Sequence, residues 1–261
     1  MLENFLFGED LNKMDLLIFG GQSNMQGQTS ACPCDPPVED AQEYCFLSDS
    51  FRPLRHPVGE DMPQGLLLGA HEGCGTLVPD FCRAYGQYRM GGITVVHAAR
   101  GATTIADWQP DGARFRMAME KITACKKALG EKPEKIYYIW LQGESDAMAG
   151  TSGEEYFRRL VCYKNALKEQ AGIDRFGIIR VGYFTHCYMQ NSSANDEAIM
   201  EAQERAVRED EDFCMLTRIA SWVSMDARFM NPAEVGHYSN AGMTLLGVAA
   251  GETLGRIAAK Q

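Results

Sequence analysis

The sequence predicts an α/β protein with a flavodoxin-like, three-layer α/β/α sandwich built on a five-stranded parallel sheet. Short apolar, β-branched runs recur from end to end, turn residues bound each run, and helix-length segments with apolar residues at three- and four-residue spacing separate them. Strands buried on both faces have this continuous apolar character, so the sheet is expected to be parallel and covered on both sides. The predicted strands are DLLIFG from Asp15, ITVVHAA from Ile93, KIYYIWLQ from Lys135, FGIIRVGYF from Phe176 and FCMLTRIA from Phe213.

Amphipathic patterns predict helices between and after these strands, over residues 78–90, 113–129, 154–171, 195–209 and 240–259. No repeat or linker divides the chain, so residues 1–261 are expected to form a single domain. The segment 29–75 is rich in Pro, Gly, Cys and acidic residues and lacks periodicity. It is expected to be a long loop that forms a wall or lid of a binding cleft.

Composition limits the classes of protein and partner. A chain of 261 residues, 45% hydrophobic and 23% charged, can bury a sizeable core, which excludes intrinsic disorder and a small disulfide scaffold. The net charge of −10 disfavours binding to nucleic acids or to anionic lipid surfaces. No run approaches the roughly 18 to 20 apolar residues of a membrane span, and the amino terminus lacks the features of a secretion signal. A cytoplasmic protein, or one whose leader was removed, is expected, without nucleic-acid or membrane partners and of undetermined oligomeric state.

The nine cysteines are odd in number and scattered through apolar stretches, which favours buried thiols in a reducing compartment. Cys32, Cys34 and Cys45 form the one cluster that suggests zinc. No second pair at metal-ligand spacing follows them, so zinc is the less favoured interpretation.

The turn after the first strand carries a candidate nucleophile. Ligands of open parallel sheets bind beyond the carboxyl ends of the strands, and the run GGQSNM from Gly20 places Ser23 there. Backbone N–H groups at such a turn can stabilise an anion, although a serine between strand and helix is commonly only an N-cap. The turn is not a G-x-S-x-G nucleophile elbow, because Met25 takes the last glycine position, and no G-K-[ST] of a phosphate loop follows.

Two later strands also end in candidate groups. Gly101 follows the second strand, where it either lets the chain turn or presents its N–H to an oxyanion beside Ser23. The third strand ends in an amide and two carboxylates, Gln142, Glu144 and Asp146. Burying amide and carboxylate groups costs free energy, so their presence after an apolar strand indicates a functional site unless the turn is well solvated.

His237 lies in a loop before the last predicted helix. It is the only one of the five histidines with a carboxylate three residues earlier, Glu234. A carboxylate at that distance can orient the imidazole of a general base. A loop histidine that packs and bonds to the backbone is the structural alternative.

Together the four segments resemble a known enzyme family. G-Q-S-N-M, a glycine-containing block that ends in Trp108, W-x-Q-G-E-S-D and G-H-Y-S-N-A-G follow in the order found in SGNH-type esterases. The resemblance is to the branch that contains sialate O-acetylesterases and the acetylxylan esterases of carbohydrate esterase family 6. It implies the SGNH hydrolase fold and a serine esterase that removes O-acetyl groups from carbohydrates through an acetyl-enzyme, with no metal and no organic cofactor.

The resemblance also assigns roles in the reaction. Ser23 corresponds to the nucleophile and His237 to the general base. The backbone N–H groups of Ser23 and Gly101 and the side-chain amide of Gln142 correspond to the oxyanion hole. The third member of the triad is open between two residues. Glu234 has the family spacing to His237 but replaces the usual aspartate, whereas Glu144 matches a glutamate of this branch and should lie near Ser23, because the third strand should adjoin the first. We favour Glu144 slightly.

Gln22 and Asn24 flank the serine as the branch implies, and they are expected to brace its turn. Together with Trp108, which could stack on a sugar face, they are also the candidate substrate-binding residues. Acetylated xylo-oligosaccharides or related sugars are the favoured substrates, and acetylated sialic acid is an alternative. An inactive carbohydrate-binding module and a lipase or thioesterase of the wider SGNH group are the rival functions.

Overall fold

The computed structural model describes residues 14–59, 75–89, 91–130, 133–188 and 193–260. In this part of the chain one sheet has seven strands in the order β3-β2-β4-β1-β5-β6-β7. All neighbouring strands are parallel except β2 and β3. The strands are β1 Met14–Gly21, β2 Ala41–Cys45, β3 Ser50–Pro53, β4 Gly92–His97, β5 Ile136–Leu141, β6 Arg175–Ile179 and β7 Phe213–Thr217.

The helices of the described residues are α1 Ser23–Gln26, α2 Val78–Gly86, α3 Ala113–Leu129, α4 Glu144–Ala149, α5 Gly153–Ala171, α6 Ser193–Glu209, α7 Ala220–Val223 and α8 Asn240–Ala258. Short 3₁₀ turns cover Ile105–Trp108, Thr185–Cys187 and Ala227–Phe229. Helices α5 and α6 connect the neighbouring parallel strands β5, β6 and β7, as parallel neighbours require, and α3 connects β4 to β5 past β1.

Alternate side chains of β5 show that helices cover both faces of the sheet. Tyr137 packs edge-on against Tyr85 of α2, whereas its neighbour Tyr138 packs against Tyr163 of α5. Successive residues of a strand point to opposite faces, so α2 and α5 lie on opposite sides. Helix α8 packs beside α2, and α3 and α6 pack beside α5. The three-layer α/β/α class is therefore confirmed.

The five predicted strands all exist and occur in the flavodoxin order, but the predicted strand count was wrong. Strands β2 and β3 lie inside the segment 29–75 that was expected to be a loop, and residues 60–74 of that segment lie outside the described residues. The sequences AQEYC and SFRP lack the apolar runs of the other strands. They pair at one edge of the sheet, where β2 adjoins β4 only over Ala41–Glu43 and β3 adjoins β2 alone.

The expectation of mostly buried thiols was also wrong. Among the eight described cysteines, all free, Cys45, Cys82 and Cys125 are buried, whereas Cys34 and Cys162 are exposed. Cys162 faces outward from α5 although its neighbours in sequence are apolar. Within the described ranges, no helix is both long enough and apolar enough to cross a membrane.

Strands β4, β1 and β5 are adjacent in the sheet, so their carboxyl ends meet at one edge. The three sequence blocks after these strands, which begin near Ser23, Gly101 and Gln142, are thereby brought together. The candidate site lies at this edge.

Candidate active site

The serine turn begins where β1 ends. Gly21 has φ +142°, and a Cβ there would lie 2.1 Å from the carbonyl oxygen of Leu141, so only glycine fits. The N–H of Gln22 donates to that same carbonyl at 3.0 Å, which ties the turn to the end of β5. Ser23 is then the first residue of the single-turn helix α1. Its N–H has no acceptor within the helix, as is general for the first residues of helices.

Ser23 and His237 form a hydrogen-bonded pair although 214 residues separate them. His237 Nε2 lies 2.8 Å from Ser23 Oγ, and Nδ1 of the same ring lies 3.0 Å from the backbone carbonyl oxygen of Val235. A carbonyl oxygen can only accept, so in neutral histidine this contact places the proton on Nδ1. Nε2 is then the acceptor that a general base needs to take the serine proton.

The Val235 carbonyl is itself held in place. The phenol of Tyr188 donates to it at 2.6 Å, so one oxygen accepts from both the tyrosine and the imidazole. The ring of Phe184 packs between them, 5.2 Å from the Tyr188 ring and edge-on to the His237 ring at 6.2 Å. The backbone N–H of His237 bonds to the carbonyl of Glu234 at 3.1 Å, which closes the loop as a turn.

Neither predicted carboxylate occupies the position at Nδ1. Glu234 is exposed, and the bond it shares with His237 joins backbone atoms. Glu144 is buried, and its Oε1 accepts from Asn24 Nδ2 at 2.9 Å, while its Oε2 has no hydrogen-bond partner. Glu234 thus lies on the exposed side of its loop, and Glu144 bonds to Asn24 instead of His237. The triad acid therefore stays a prediction that this geometry does not support.

Glu144 has an unusual environment for a carboxyl group. Burial raises its pKa to about 7, and the nearby charges of Asp196 and Asp146 act in the same direction, while the hydrogen bond from Asn24 opposes them. Asn24 also bonds to the loop of His237, through Gly236 O and Tyr238 N, both at 3.4 Å. Asn24 thus links the carboxyl group to the histidine loop, and Glu144 supports that loop indirectly.

A buried amide network lies behind the serine turn. Gln142 Nε2 contacts Asp146 Oδ2 at 2.5 Å and Thr103 O at 2.9 Å, and its Oε1 accepts from the Tyr156 phenol at 3.1 Å. Gln22 Oε1 accepts from the backbone N–H of Ser145 at 3.1 Å. The network consists of Gln22, Thr103, Gln142, Asp146, Tyr156 and Gln203.

This bonding bears on the predicted role of Gln142. An amide NH₂ group has two hydrogens, and those of Gln142 already face Asp146 and Thr103. The side chain is also fully buried. As an oxyanion donor, Gln142 would have to give up one of these two acceptors.

Gly101 does lie beside the nucleophile. A Cβ built on Gly101 would be 3.4 Å from Ser23 Cβ and 3.0 Å from Gln26 Oε1. The Gly101 N–H points to Gln26 Oε1 at 2.6 Å. The Gly101 N–H, predicted as the second oxyanion donor, therefore lies at the site. It already donates its hydrogen bond to the side-chain amide of Gln26.

The three residues predicted to contact the substrate are all buried, which does not support direct contact, and their substrate role stays a prediction. Trp108 has 0% exposure, packs edge-on against Trp140 at 5.3 Å, and donates from its indole to Thr103 Oγ1 at 3.0 Å. Gln22 and Asn24 are also buried and bond to protein groups. A tryptophan after a strand fits a core layer as well as a sugar platform, and the sequence alone did not separate these roles.

Sequence reasoning missed the Val235 carbonyl, Gln26, and the pair Phe184 and Tyr188. A backbone carbonyl leaves no signal in the side-chain pattern. The spacing of Gln26, three residues after Ser23 in a helical turn, was the one available signal, because residues at that spacing share a face. Among the described residues, no cluster of three or more His, Cys, Asp or Glu side chains could hold a metal ion, and the three cysteines of the zinc alternative form none.

A family model described as carbohydrate esterase, sialic acid-specific acetylesterase matches residues 13–247. No curated protein sequence matches the chain.

Solved structures similar to the chain share its fold at low identity. A protein of Arabidopsis thaliana has TM-score 0.66 and 15% identity, over 92% of this chain and 97% of that one. A carbohydrate acetylesterase from Xanthomonas citri has TM-score 0.56 and 13% identity, over 91% of this chain and 55% of that one. A lipase/acylhydrolase from Enterococcus faecalis has TM-score 0.51 and 13% identity, over 94% and 96%.

Proposed function

The chain belongs to the carbohydrate esterase family of sialic acid-specific acetylesterases and is a carboxylic ester hydrolase, and from this premise we propose that Ser23 removes O-acetyl groups from carbohydrates. The observation that carries the proposal is the 2.8 Å contact between Ser23 Oγ and His237 Nε2 at the carboxyl edge of the sheet. A serine hydroxyl is a weak nucleophile until an adjacent base takes its proton.

The reaction then proceeds through two transfers. Ser23 Oγ attacks the acetyl carbonyl carbon while its proton moves to His237 Nε2, and the carbonyl electron pair moves to oxygen. The tetrahedral intermediate collapses as His237 returns the proton to the leaving sugar oxygen. Water, activated by the same imidazole, hydrolyses the acetyl-enzyme and releases acetate.

The Val235 carbonyl takes the orienting role that a carboxylate has in most triads. Its bond to Nδ1 favours the required tautomer and ring orientation. A carbonyl is neutral, so it stabilises the imidazolium less than a carboxylate does. We therefore propose a Ser–His pair with backbone support rather than a triad completed by Glu144 or Glu234.

An exposed apolar shelf beside His237 supports a sugar as the leaving group. Tyr188 is 50% and Val235 53% exposed, and the Tyr188 ring packs against Phe184, which in turn contacts the His237 ring. His237 must protonate the leaving oxygen, so the sugar lies on this side of the serine. Aromatic faces with polar edges suit the apolar faces of sugar rings.

The charge of the chain favours a neutral sugar. A net charge of −10 disfavours an anionic substrate such as an acetylated sialic acid and does not affect acetylated xylo-oligosaccharides. Sialic acid remains the second candidate, because the matched family model is described as sialic acid-specific. Acetate release from acetylated xylo-oligosaccharide, manno-oligosaccharide and sialic acid, measured side by side, separates the two.

The direct test is Ser23→Ala. The variant is expected to lose about 10³-fold or more of its acetate release from p-nitrophenyl acetate, and the wild type to prefer acetyl over octanoyl esters. Ser48→Ala, at an exposed serine whose hydroxyl contacts Cys45 and Ser50 of its own hairpin, is the matched control and should retain full activity. Activity retained in Ser23→Ala, or a preference for the octanoyl ester, contradicts the proposal.

A further inference from the structure

Gln26 is a buried side chain of the site to which the resemblance gives no role. It is the last residue of α1, one helical turn after Ser23, so its side chain lies on the same face as the nucleophile. It is only 5% exposed. Its two polar atoms differ in their bonding: Oε1 accepts from the Gly101 N–H at 2.6 Å, and Nε2 is buried without a hydrogen-bond partner.

The bond to Gly101 has a consequence for the oxyanion hole. A backbone N–H has one hydrogen, and at 2.6 Å that hydrogen is committed to Gln26 Oε1. Gly101 therefore cannot also bind a substrate oxygen directly while Gln26 stays in place. Either Gln26 moves away during the reaction, or the effect of Gly101 reaches the substrate through Gln26.

The buried NH₂ group of Gln26 decides between these two possibilities. A buried donor without an acceptor is costly, so it stabilises neither the amide nor the turn in the absence of a ligand. Ser23 Cβ and Gln26 Oε1 both lie within 3.4 Å of the position that a Cβ on Gly101 would take, so the amide and the nucleophile line the same small space. A group that becomes negatively charged in that space supplies the missing acceptor.

We propose that Gln26 is the side-chain donor of the oxyanion hole, the part that the family resemblance gave to Gln142. The Gly101 N–H fixes and polarises the Gln26 carbonyl, which strengthens the opposite N–H groups as donors. When Ser23 Oγ bonds to the acetyl carbon, the carbonyl electron pair moves to oxygen and Gln26 Nε2 donates a hydrogen bond to it. No proton leaves Gln26, since the serine proton goes to His237. This inference rests on the proposed esterase function.

The test compares Gln26→Met with the wild type by steady-state kinetics on p-nitrophenyl acetate. Methionine has a similar length but no donor, and it leaves the Gly101 N–H free. We expect kcat to fall about 10²- to 10³-fold with KM changed less than about threefold, the signature of a donor used in the transition state. Unchanged or increased kcat/KM would mean that Gln26 only fills the oxyanion hole and moves aside, which overturns the proposal.

Gln87→Met is the matched control. Gln87 is an exposed glutamine directly after α2. We expect its kcat to stay within about threefold of the wild type. An equal loss in both variants would overturn the assignment to Gln26, because the loss would then not depend on a donor beside Ser23.

Gln26→Glu keeps an oxygen for Gly101 and removes the NH₂ group, so it repeats the test if Gln26→Met fails to fold. A kcat near that of the wild type in this variant would also overturn the proposal. Failure of the esterase function itself looks different, because the wild type would then release no acetate and Ser23→Ala would change nothing. A wild type that depends on Ser23 but not on Gln26 leaves the function intact and refutes only this inference.

Discussion

Buried glutamines lie on both sides of the Ser23 turn, but their side-chain amides differ in hydrogen bonding. On the reactive face, formed by Ser23, Gln26, Gly101 and His237, one amide group, Gln26 Nε2, has no partner. In the buried amide network, the Gln142 side chain is bonded at both ends, to Asp146 and Thr103 through nitrogen and to Tyr156 through oxygen. The free donor of Gln26 is available to a ligand, whereas the donors of Gln142 are used within the fold.

This difference predicts which measurement each side controls. Changes on the reactive face should alter the rate while leaving the free energy of unfolding nearly unchanged. Changes in the buried amide network should lower that free energy first, since every lost bond leaves a buried partner unsatisfied.

Gln142→Ala is expected to have the largest effect on stability. The change leaves the Thr103 carbonyl without this donor, removes a bond to Asp146, and opens a cavity in a fully buried region. We expect the free energy of unfolding to fall by about 3 to 4 kcal/mol, measured by urea denaturation. Gln87→Ala, at an exposed glutamine after α2, should change it little. Unchanged stability with a kcat loss of about 10²-fold would show that Gln142 is an oxyanion donor after all. The proposed difference between the reactive face and the buried amide network would then be wrong.

The fold was more predictable from the sequence than the site. Five strands and five long helices were found because buried parallel strands and amphipathic helices leave periodic signals, whereas β2 is short and polar and leaves none. The blocks around Ser23 and His237 lie where expected, because the sheet order brings them to one edge. The full burial of Trp108 does not support its predicted substrate role, and the pattern of residues carried no warning because aromatic side chains fit a core and a sugar platform equally well by composition.

Glu144 and Glu234 should differ in their effect on the pH dependence of the free energy of unfolding. The folded-state pKa of Glu144, about 7, lies above its ordinary value of 4.5. The contribution of the Glu144 carboxyl to the free energy of unfolding is therefore fully present below about pH 4.5. It is lost as the pH rises through about 7, because the buried carboxyl group must then ionise. Relative to Glu144→Gln, the wild type should lose on the order of 2 to 3 kcal/mol of unfolding free energy between about pH 4.5 and pH 8.

Glu234→Gln makes the same chemical change on an exposed loop and is the matched control. It should leave both the pH dependence and kcat close to those of the wild type. Parallel stability curves for the wild type and Glu144→Gln across this range would refute the raised pKa. A kcat loss on the order of 10³-fold in either variant would instead identify that glutamate as the triad acid.

The smallest expected effect concerns Tyr188, which contributes a hydrogen bond on one side and an exposed ring on the other. Its phenol donates to the carbonyl that orients His237, so Tyr188→Phe frees that carbonyl to move but leaves the ring on the shelf. Since the bond is one of two on the same oxygen, we expect kcat to fall only about two- to fivefold, with KM unchanged.

Tyr188→Ala removes the ring as well and should raise KM for an acetylated oligosaccharide several-fold more than for p-nitrophenyl acetate, whose leaving group has no sugar face. An equal KM increase for both esters would show that the shelf does not recognise sugar. A kcat loss near 10²-fold in Tyr188→Phe would show that the Val235 carbonyl depends on this phenol far more than a shared hydrogen bond predicts.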